Sequence, residues 1–421
     1  MNENIKSKLI NFSSLLLLLI PLALISGPLF SDLFLVIIII IFITLNYINK
    51  EYEIYKNKFL IFFVIFFLLI LGVSIFSLNI SSIKSSAFYI RFPIFALASF
   101  SLINKNTNLL NNILYIMLII YLILFIDAIY QYIFLENLIG LTYNDVFNFR
   151  ITSFFGKDEV LGSYVVRLLP LVIFLTIYRF EFSIIKKKYL IIFLIITSFI
   201  TILLSGERTS LALFIILMSL LFISSFNLRK ILIIPLFVSF LTFVLVISTS
   251  EKIKHRVIDQ TIAQIGLNNN SERVFLFSKI YEGHYLISLD MFKEKPIFGH
   301  GVKMFRFFCI KEENFVADNA CTTHPHNFYA QFLAETGLVG FTFLFGIFLY
   351  ISSLLIKNFY YQLRYKKQFI SDLGLCLISS YFITFFPILP SGNFFNNWLS
   401  IIIYYPMGFL IYIIKKNRFY V

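Results

Sequence analysis

Apolar stretches of roughly 20 residues recur along the whole chain, and this repetition limits its fold more than any other feature. About twelve can be marked by hydropathy. They fall at 9–26, 29–47, 59–78, 87–103, 109–134, 160–179, 189–205, 209–226, 230–249, 329–356, 369–389 and 396–414. One soluble core would not bury so much apolar surface. Only 14% of the residues are charged, against about a quarter in soluble domains. A β-barrel would need shorter, alternating segments. The expected fold class is therefore an all-α polytopic membrane protein with about 12 transmembrane helices.

The net charge of +13 would suggest nucleic acid as a partner of a soluble protein. Here it follows from topology, and no nucleic acid is expected. With the N-terminus in the cytoplasm, the inside segments hold Lys6 and Lys8, Lys50 to Lys58, Lys105, Arg179 to Lys188, Arg229 and Lys230, Lys357 to Lys367, and Lys415 to Arg418. The short outside segments hold little beyond Lys84, Arg150, Lys157 and Arg208. This is the distribution that the positive-inside rule asks for, and it places both termini in the cytoplasm. The chain then divides into nine spans over 1–249, a large outside loop over 250–328, and three spans over 329–421. The first apolar run has no small-residue cleavage site, so an uncleaved first helix is expected rather than a signal peptide.

Two outside segments, 135–159 and 250–328, exceed what a connection needs, and such loops tend to be functional. Within the second, Ser271 reads as the N-cap of a helix running to about Phe292. Val274, Phe277, Tyr281, Tyr285 and Ser288 share one face of it, which can lie on the bilayer surface or pack on other helices. Pro296 to Gly301 then break the helix. Cys309 and Cys321 share the same loop. A disulfide between them is allowed if that side is periplasmic, and two free thiols are the alternative. Cys376 lies in a span and reads as a core residue.

The polar residues able to carry chemistry sit at the outer edges of spans. His324 and His326 flank Pro325 where the long loop re-enters the membrane. A single histidine there is most often a cap or a surface residue. A metal would need further ligands, so none is expected. A neutral imidazole as general base is the more attractive chemistry, with Asn327 able to orient a ring or a sugar hydroxyl. Gln331 and Glu335 follow on one helical stripe. Arg208 lies in the short turn Ser205-Gly206-Glu207-Arg208, where it can snorkel or clamp an anion, and Glu207 can pair with it. Arg150 and Lys157 crowd the start of another span. Arg167, deeper in that span, calls for a cavity or a partner, and Asp127 is the candidate partner.

His324-Pro325-His326-Asn327 followed by Glu335-Thr336-Gly337-Leu338-Val339-Gly340 resembles a segment of the O-antigen ligase and polymerase family of bacterial inner-membrane glycosyltransferases. So do Ser205 to Thr209, Arg150 to Gly156 leading to Leu161 to Tyr164, and Lys293 to Gly301 with Arg273 upstream. The resemblance covers roughly 145–345. It implies a GT-C-like membrane enzyme with one large periplasmic loop. The donor would be a glycan on a polyprenyl diphosphate. The acceptor would be a sugar hydroxyl, on lipid A core for a ligase or on another repeat unit for a polymerase. No metal, nucleotide or other cofactor is implied, and single displacement implies inversion. His326 would act as base, with Arg208 and Arg273 holding the diphosphate. His324, Asn327, Arg150, Lys157 and Glu207 are the weaker assignments, to substrate binding. Asp158-Glu159 and Thr209-Ser210 depart from the family pattern.

Two rival readings stand beside this one. A transporter or flippase of lipid-linked glycans would suit the span count, but paired discontinuous helices in the two halves are not evident. A non-catalytic assembly subunit would leave His326 dispensable.

Overall fold

The computed structural model describes residues 3–142, 149–267, 277–311 and 320–421. Among them the only regular structure is helical, with no strand beyond two isolated bridges. Each expected span has its helix. The first nine are α1 (Glu3–Ile25), α2 (Pro28–Asn49), α3 (Lys58–Phe76), α4 (Ile80–Ala87) continuing into α5 (Arg91–Lys105), α6 (Asn108–Phe134), α7 (Leu161–Arg179), α8 (Ile184–Leu204), α9 (Arg208–Ser224) and α10 (Phe226–Thr249). The long loop carries the short helices α11 (Glu251–Lys254), α12 (Gln260–Gln264), α13 (Lys279–Glu294) and α14 (Phe305–Phe308). The chain ends with α15 (Phe328–Tyr365), α16 (Asp372–Thr384) and α17 (Asn397–Lys415). Ten helices are long and apolar enough to cross a membrane, and α9 and α16 are shorter apolar helices.

Several spans differ from the expected bounds: α1 and α8 start earlier and α15 runs on to Tyr365, and three further differences have a local reason. The fourth begins earlier, as α4, with Asn79 accepting hydrogen bonds from Ser81 and Ser82 as its cap. The eleventh stops at Thr384 rather than 389, because Pro387 and Pro390 supply no N–H for a continuing helix. The tenth is broken at Gly337, where φ is +62°.

The loops sort to two ends. At one end Lys105 pairs with Glu51 at 3.1 Å, Arg418 with Glu181 at 2.7 Å, and Ser225 donates to Asp372 at 2.6 Å. These residues lie in or beside the lysine-rich segments. At the other end Arg91 pairs with Asp32 at 3.0 Å, and the long loop meets the 149–163 and 385–396 segments. α7 is almost wholly buried at the centre. Gly408 lets α17 approach α5, since a Cβ there would fall 2.6 Å from that of Ser99. Helix α10 instead turns Ile233, Phe237, Phe240 and Leu245 outward, as a lipid-facing helix does.

Within the long loop, Ser271 and Val274 lie outside the described residues. The helix expected from Ser271 starts only at Lys279, as α13, with Phe277 and Ser278 before it non-helical. It packs rather than floats: His284, Ile287, Ser288 and Met291 are buried, and Ile287 and Met291 share a cluster with Phe305, Phe308 and Ala334. Cys309 and Cys321 are joined by a disulfide, with Cα atoms 5.2 Å apart. Cys376 is buried in α16.

Candidate functional site

The turn between α8 and α9 is built around its glycine. Gly206 has φ +64°, and a Cβ there would lie 2.7 Å from the Phe149 carbonyl, so the turn seats against the segment that carries Arg150. Glu207 follows. Its carboxylate accepts from the backbone N–H groups of Gly162 at 2.6 Å and Ser163 at 3.0 Å, and from the Ser210 hydroxyl at 2.8 Å. It thus satisfies open donors in the first turn of α7. Burial raises its pKa, while Ser210, Gly162 and the charge of Arg150 oppose the shift. The expected pairing of Glu207 with Arg208 does not form.

Arg208 turns the other way. It donates to Thr261 at 3.1 Å and to Gln264 at 2.7 Å, both from the helical start of the long loop. Two neutral acceptors orient the guanidinium and leave its charge uncompensated by any carboxylate among the described residues. Arg150 is ion-paired with Glu159. Arg167 donates to Ser163 at 3.1 Å, and its Nη1 is buried without a hydrogen-bond partner. Asp127 is not its partner. That carboxylate accepts from the Leu138 N–H at 2.7 Å and from the Ser153 hydroxyl, so it organises the 135–155 loop.

Opposite these residues stand aromatic and imidazole rings. His324 and His326 have ring centroids 4.1 Å apart, His326 lies 5.2 Å from His284, and Tyr281 lies 5.8 Å from His326. His326 has φ +53°, and its carbonyl accepts from Ser391 at 2.8 Å. Burial lowers the pKa of His326. His324 is lowered to about 3, chiefly by burial and then by the neighbouring His326, His284 and Arg306. Both rings are therefore neutral bases at neutral pH. No group of three His, Cys, Asp or Glu residues suited to a metal ion occurs among the described residues.

Asn327 has a different task from the one expected. Its Oδ1 accepts from the N–H groups of Tyr329 at 2.9 Å and Ala330 at 3.1 Å, and its Nδ2 donates to the Pro387 carbonyl at 2.8 Å. It caps α15 and ties that helix to the 385–396 segment, with both amide ends occupied.

The break in α15 explains the next part of the site. At Gly337 the helix leaves carbonyls behind it and N–H groups ahead of it without intrahelical partners. The Pro296–Gly301 turn supplies them. His300 and Gly301 donate to the carbonyls of Ala334 at 3.2 Å and Glu335 at 2.8 Å, while Leu338 and Val339 donate to those of Pro296 at 2.8 Å and Ile297 at 3.2 Å. Contact is backbone to backbone: a Cβ on Gly299 would fall 2.5 Å from the carbonyl carbon of Glu335. The His300 ring packs away from the site, 2.9 Å from the Met291 carbonyl oxygen. The chain leaving this turn carries Lys303 and Arg306.

All of these elements wall one cavity of about 930 Å³. Arg150, Arg167, Arg208, Lys303 and Arg306 line it, with Glu159, Glu207, Tyr281, His324, His326 and Asn393. Of the residues singled out in the sequence, Arg150, Glu207, Arg208, His324 and His326 are thus brought together. Lys157 is exposed and does not line the cavity, and neither does Asn327. Arg273 lies outside the described residues. Sequence reading missed Lys303 and Arg306. Their signal was a pair of cations three residues apart, just after the Gly-His-Gly turn.

No curated protein matches the chain. Residues 192–345 match the family model described as O-antigen ligase. That span runs from α8 into α15 and includes Glu207, Arg208, Tyr281, Lys303, Arg306, His324 and His326. The family indicates an enzyme of glycosyltransferase type. Through this segment the chain is similar to the O-antigen ligase family, and its many long apolar helices are those of a multi-pass membrane protein.

Proposed function

We propose that this chain is a metal-independent, inverting glycosyltransferase of the bacterial inner membrane. It moves a glycan from a polyprenyl diphosphate to a sugar hydroxyl on the periplasmic side, and it acts as an O-antigen ligase with lipid A core as acceptor. Both termini are cytoplasmic in this reading. The observation that carries it is a single cavity in which Arg208, held by neutral partners, shares walls with the neutral imidazole of His326.

The chemistry follows from those groups. His326 takes the proton of the acceptor hydroxyl as its oxygen attacks the anomeric carbon. The bond from that carbon to the diphosphate oxygen breaks, and the polyprenyl diphosphate leaves with the electron pair. Arg208 stabilises the charge that develops on the leaving group, helped by Arg150 and Arg167, and Arg273 joins them by its place in the family pattern. His324 packs against His326 and keeps its ring in place. Glu207 acts indirectly, by fixing α7 and hence Ser163 and Arg167.

The test is transfer by the purified protein from a polyprenyl-diphosphate glycan to lipid A core, read on a lipopolysaccharide gel beside a deletion strain. Core without polymer in the deletion strain supports the ligase. Core bearing one repeat points to a polymerase acting through the same donor chemistry. No transfer to either acceptor overturns the proposal.

A further inference from the structure

The cavity holds more positive charge than one diphosphate calls for. Among the described residues, five cations line it against two carboxylates. Glu159 is taken up by Arg150, and Glu207 by the start of α7. Glu335 is the carboxylate whose charge reaches Lys303 and Arg306, and Arg306 Nε is buried without a hydrogen-bond partner. Glu335 lies behind them, but its oxygens accept from the Phe305 N–H at 3.3 Å and from Gln331 at 3.0 Å. Burial and then the charge of Arg306 push Lys303 below the usual lysine value, while the nearby Glu335 carboxylate opposes the shift. One buried carboxylate shared behind two cations leaves room for an anion in front of them.

They are also presented rigidly. The Gly301–Met304 turn closes with a 3.2 Å hydrogen bond and puts Lys303 at φ +62°. The Val302 N–H donates to Ser74 at 3.4 Å, and the Cys309–Cys321 disulfide follows one residue past α14. Lys303 and Arg306 come from the chain after the Pro296–Gly301 turn, whereas Arg208 comes from the α8–α9 turn, Arg167 from the start of α7 and Arg150 from the segment before it. The histidine pair lines the same cavity.

We propose that Lys303 and Arg306 form a second anion site, which takes a phosphate or carboxylate on the acceptor sugar while the arginines around Arg208 take the donor diphosphate. This rests on the glycosyl-transfer reading above and adds that the acceptor is an acidic glycan. An oxyanion bridging the two side chains would give Arg306 its missing partner and set the acceptor hydroxyl beside the histidine pair.

Binding to the full chain in lipid nanodiscs tests it, with fluorescent lipid A core oligosaccharide as probe, untreated, phosphatase-treated or carboxyl-reduced. The wild type should bind the untreated probe about tenfold or more tightly than one of the treated forms, and the form that loses affinity identifies the acid group. K303Q/R306Q should bind all three alike, whereas K303R/R306K, which keeps both charges, should retain the preference. A short prenyl diphosphate should still bind to K303Q/R306Q, which also reports that this variant is folded. An unchanged preference in K303Q/R306Q, or none in the wild type, overturns the site. Loss of prenyl diphosphate binding overturns the separation of the two sites. Binding requires no turnover, so failure of the wild type to transfer glycan would count against the proposed reaction and not against this site.

Discussion

The backbone N–H of Leu338 reaches the carbonyl of Pro296 at 2.8 Å across the break in α15. The tenth span and the end of the long loop are therefore one unit. The approach depends on glycine, since any Cβ on Gly337 would strike the Ile297 carbonyl, in a backbone region that other residues avoid. Gly337→Ala should cost about 3 kcal/mol, from left-handed strain and the loss of two backbone hydrogen bonds. Gly346, in the same helix, has nothing within 4 Å of its would-be Cβ, and Gly346→Ala should change stability little or raise it by about 0.5 kcal/mol. Thermal unfolding of the two purified variants compares them. Equal midpoints would mean that the break does not depend on this contact.

His326→Ala should lower the rate of glycan transfer by about 10²–10⁴-fold, the usual contribution of a positioned general base. The pH profile gives an independent check. Burial holds His326 below its ordinary 6.5, so the ring is already neutral at neutral pH. Activity should be flat above that value and fall only on the acid side, where protonation removes the base. A profile that still climbs between pH 7 and 8 would assign the proton to another group.

The succession of apolar helices was legible in hydropathy, because lipid demands continuous apolar helices; of the twelve expected spans ten are long enough to cross, and α9 and α16 are shorter. The gathering of Arg150, Arg208, His324 and His326 was legible only through resemblance, since they come from separate parts of the chain. Three features were hidden. Glu207 stands beside Arg208 in sequence but caps a helix that begins 46 positions earlier, and a helix's open N–H groups carry no mark in the sequence. Asn327 read as a ligand because an N-cap and a binding residue share the same side-chain chemistry. Arg167 and Asp127 looked like partners because both are charges within spans, yet the acid is taken up by the 135–155 loop.

The histidine pair should make stability depend on pH. Folding holds His324 at about 3, while the unfolded chain titrates it near 6.5. Between these values the unfolded state binds the extra proton. Stability is therefore full above pH 6.5 and declines as the pH falls toward 3. The midpoint of thermal unfolding should be lower at pH 5 than at pH 7.5, and His324→Gln should reduce that difference. The same difference in wild type and variant would place the titration elsewhere.

The Cys309–Cys321 bond closes a loop with a sequence separation of 12 and anchors the chain that leads to His324. In the chain-entropy picture such a loop contributes about 3 kcal/mol. Alkylation of the denatured, unreduced protein should label one cysteine, Cys376, and reduction should expose all three. C309S/C321S should unfold at lower temperature than the wild type. Three labelled cysteines without reductant would rule the bond out.

Arg208 is the strongest link between geometry and the proposed reaction. Thr261 and Gln264 each hold one arm of its fork, so its orientation is fixed before any substrate arrives. Arg208→Lys keeps the charge and loses the fork. It should lower kcat/KM for the lipid-linked donor by about 10²-fold, within the range seen when one preorganised donor to a developing charge is removed. Gln264→Leu leaves the guanidinium in place but frees one arm, and should cost less, about tenfold, the worth of one charge-assisted hydrogen bond. Combining the two should cost little more than Arg208→Lys alone, because Gln264 acts only through the arginine. Steady-state transfer kinetics on the single and double variants measure this coupling. Additive losses would mean that Gln264 meets the substrate directly and that the fork is not what the reaction uses.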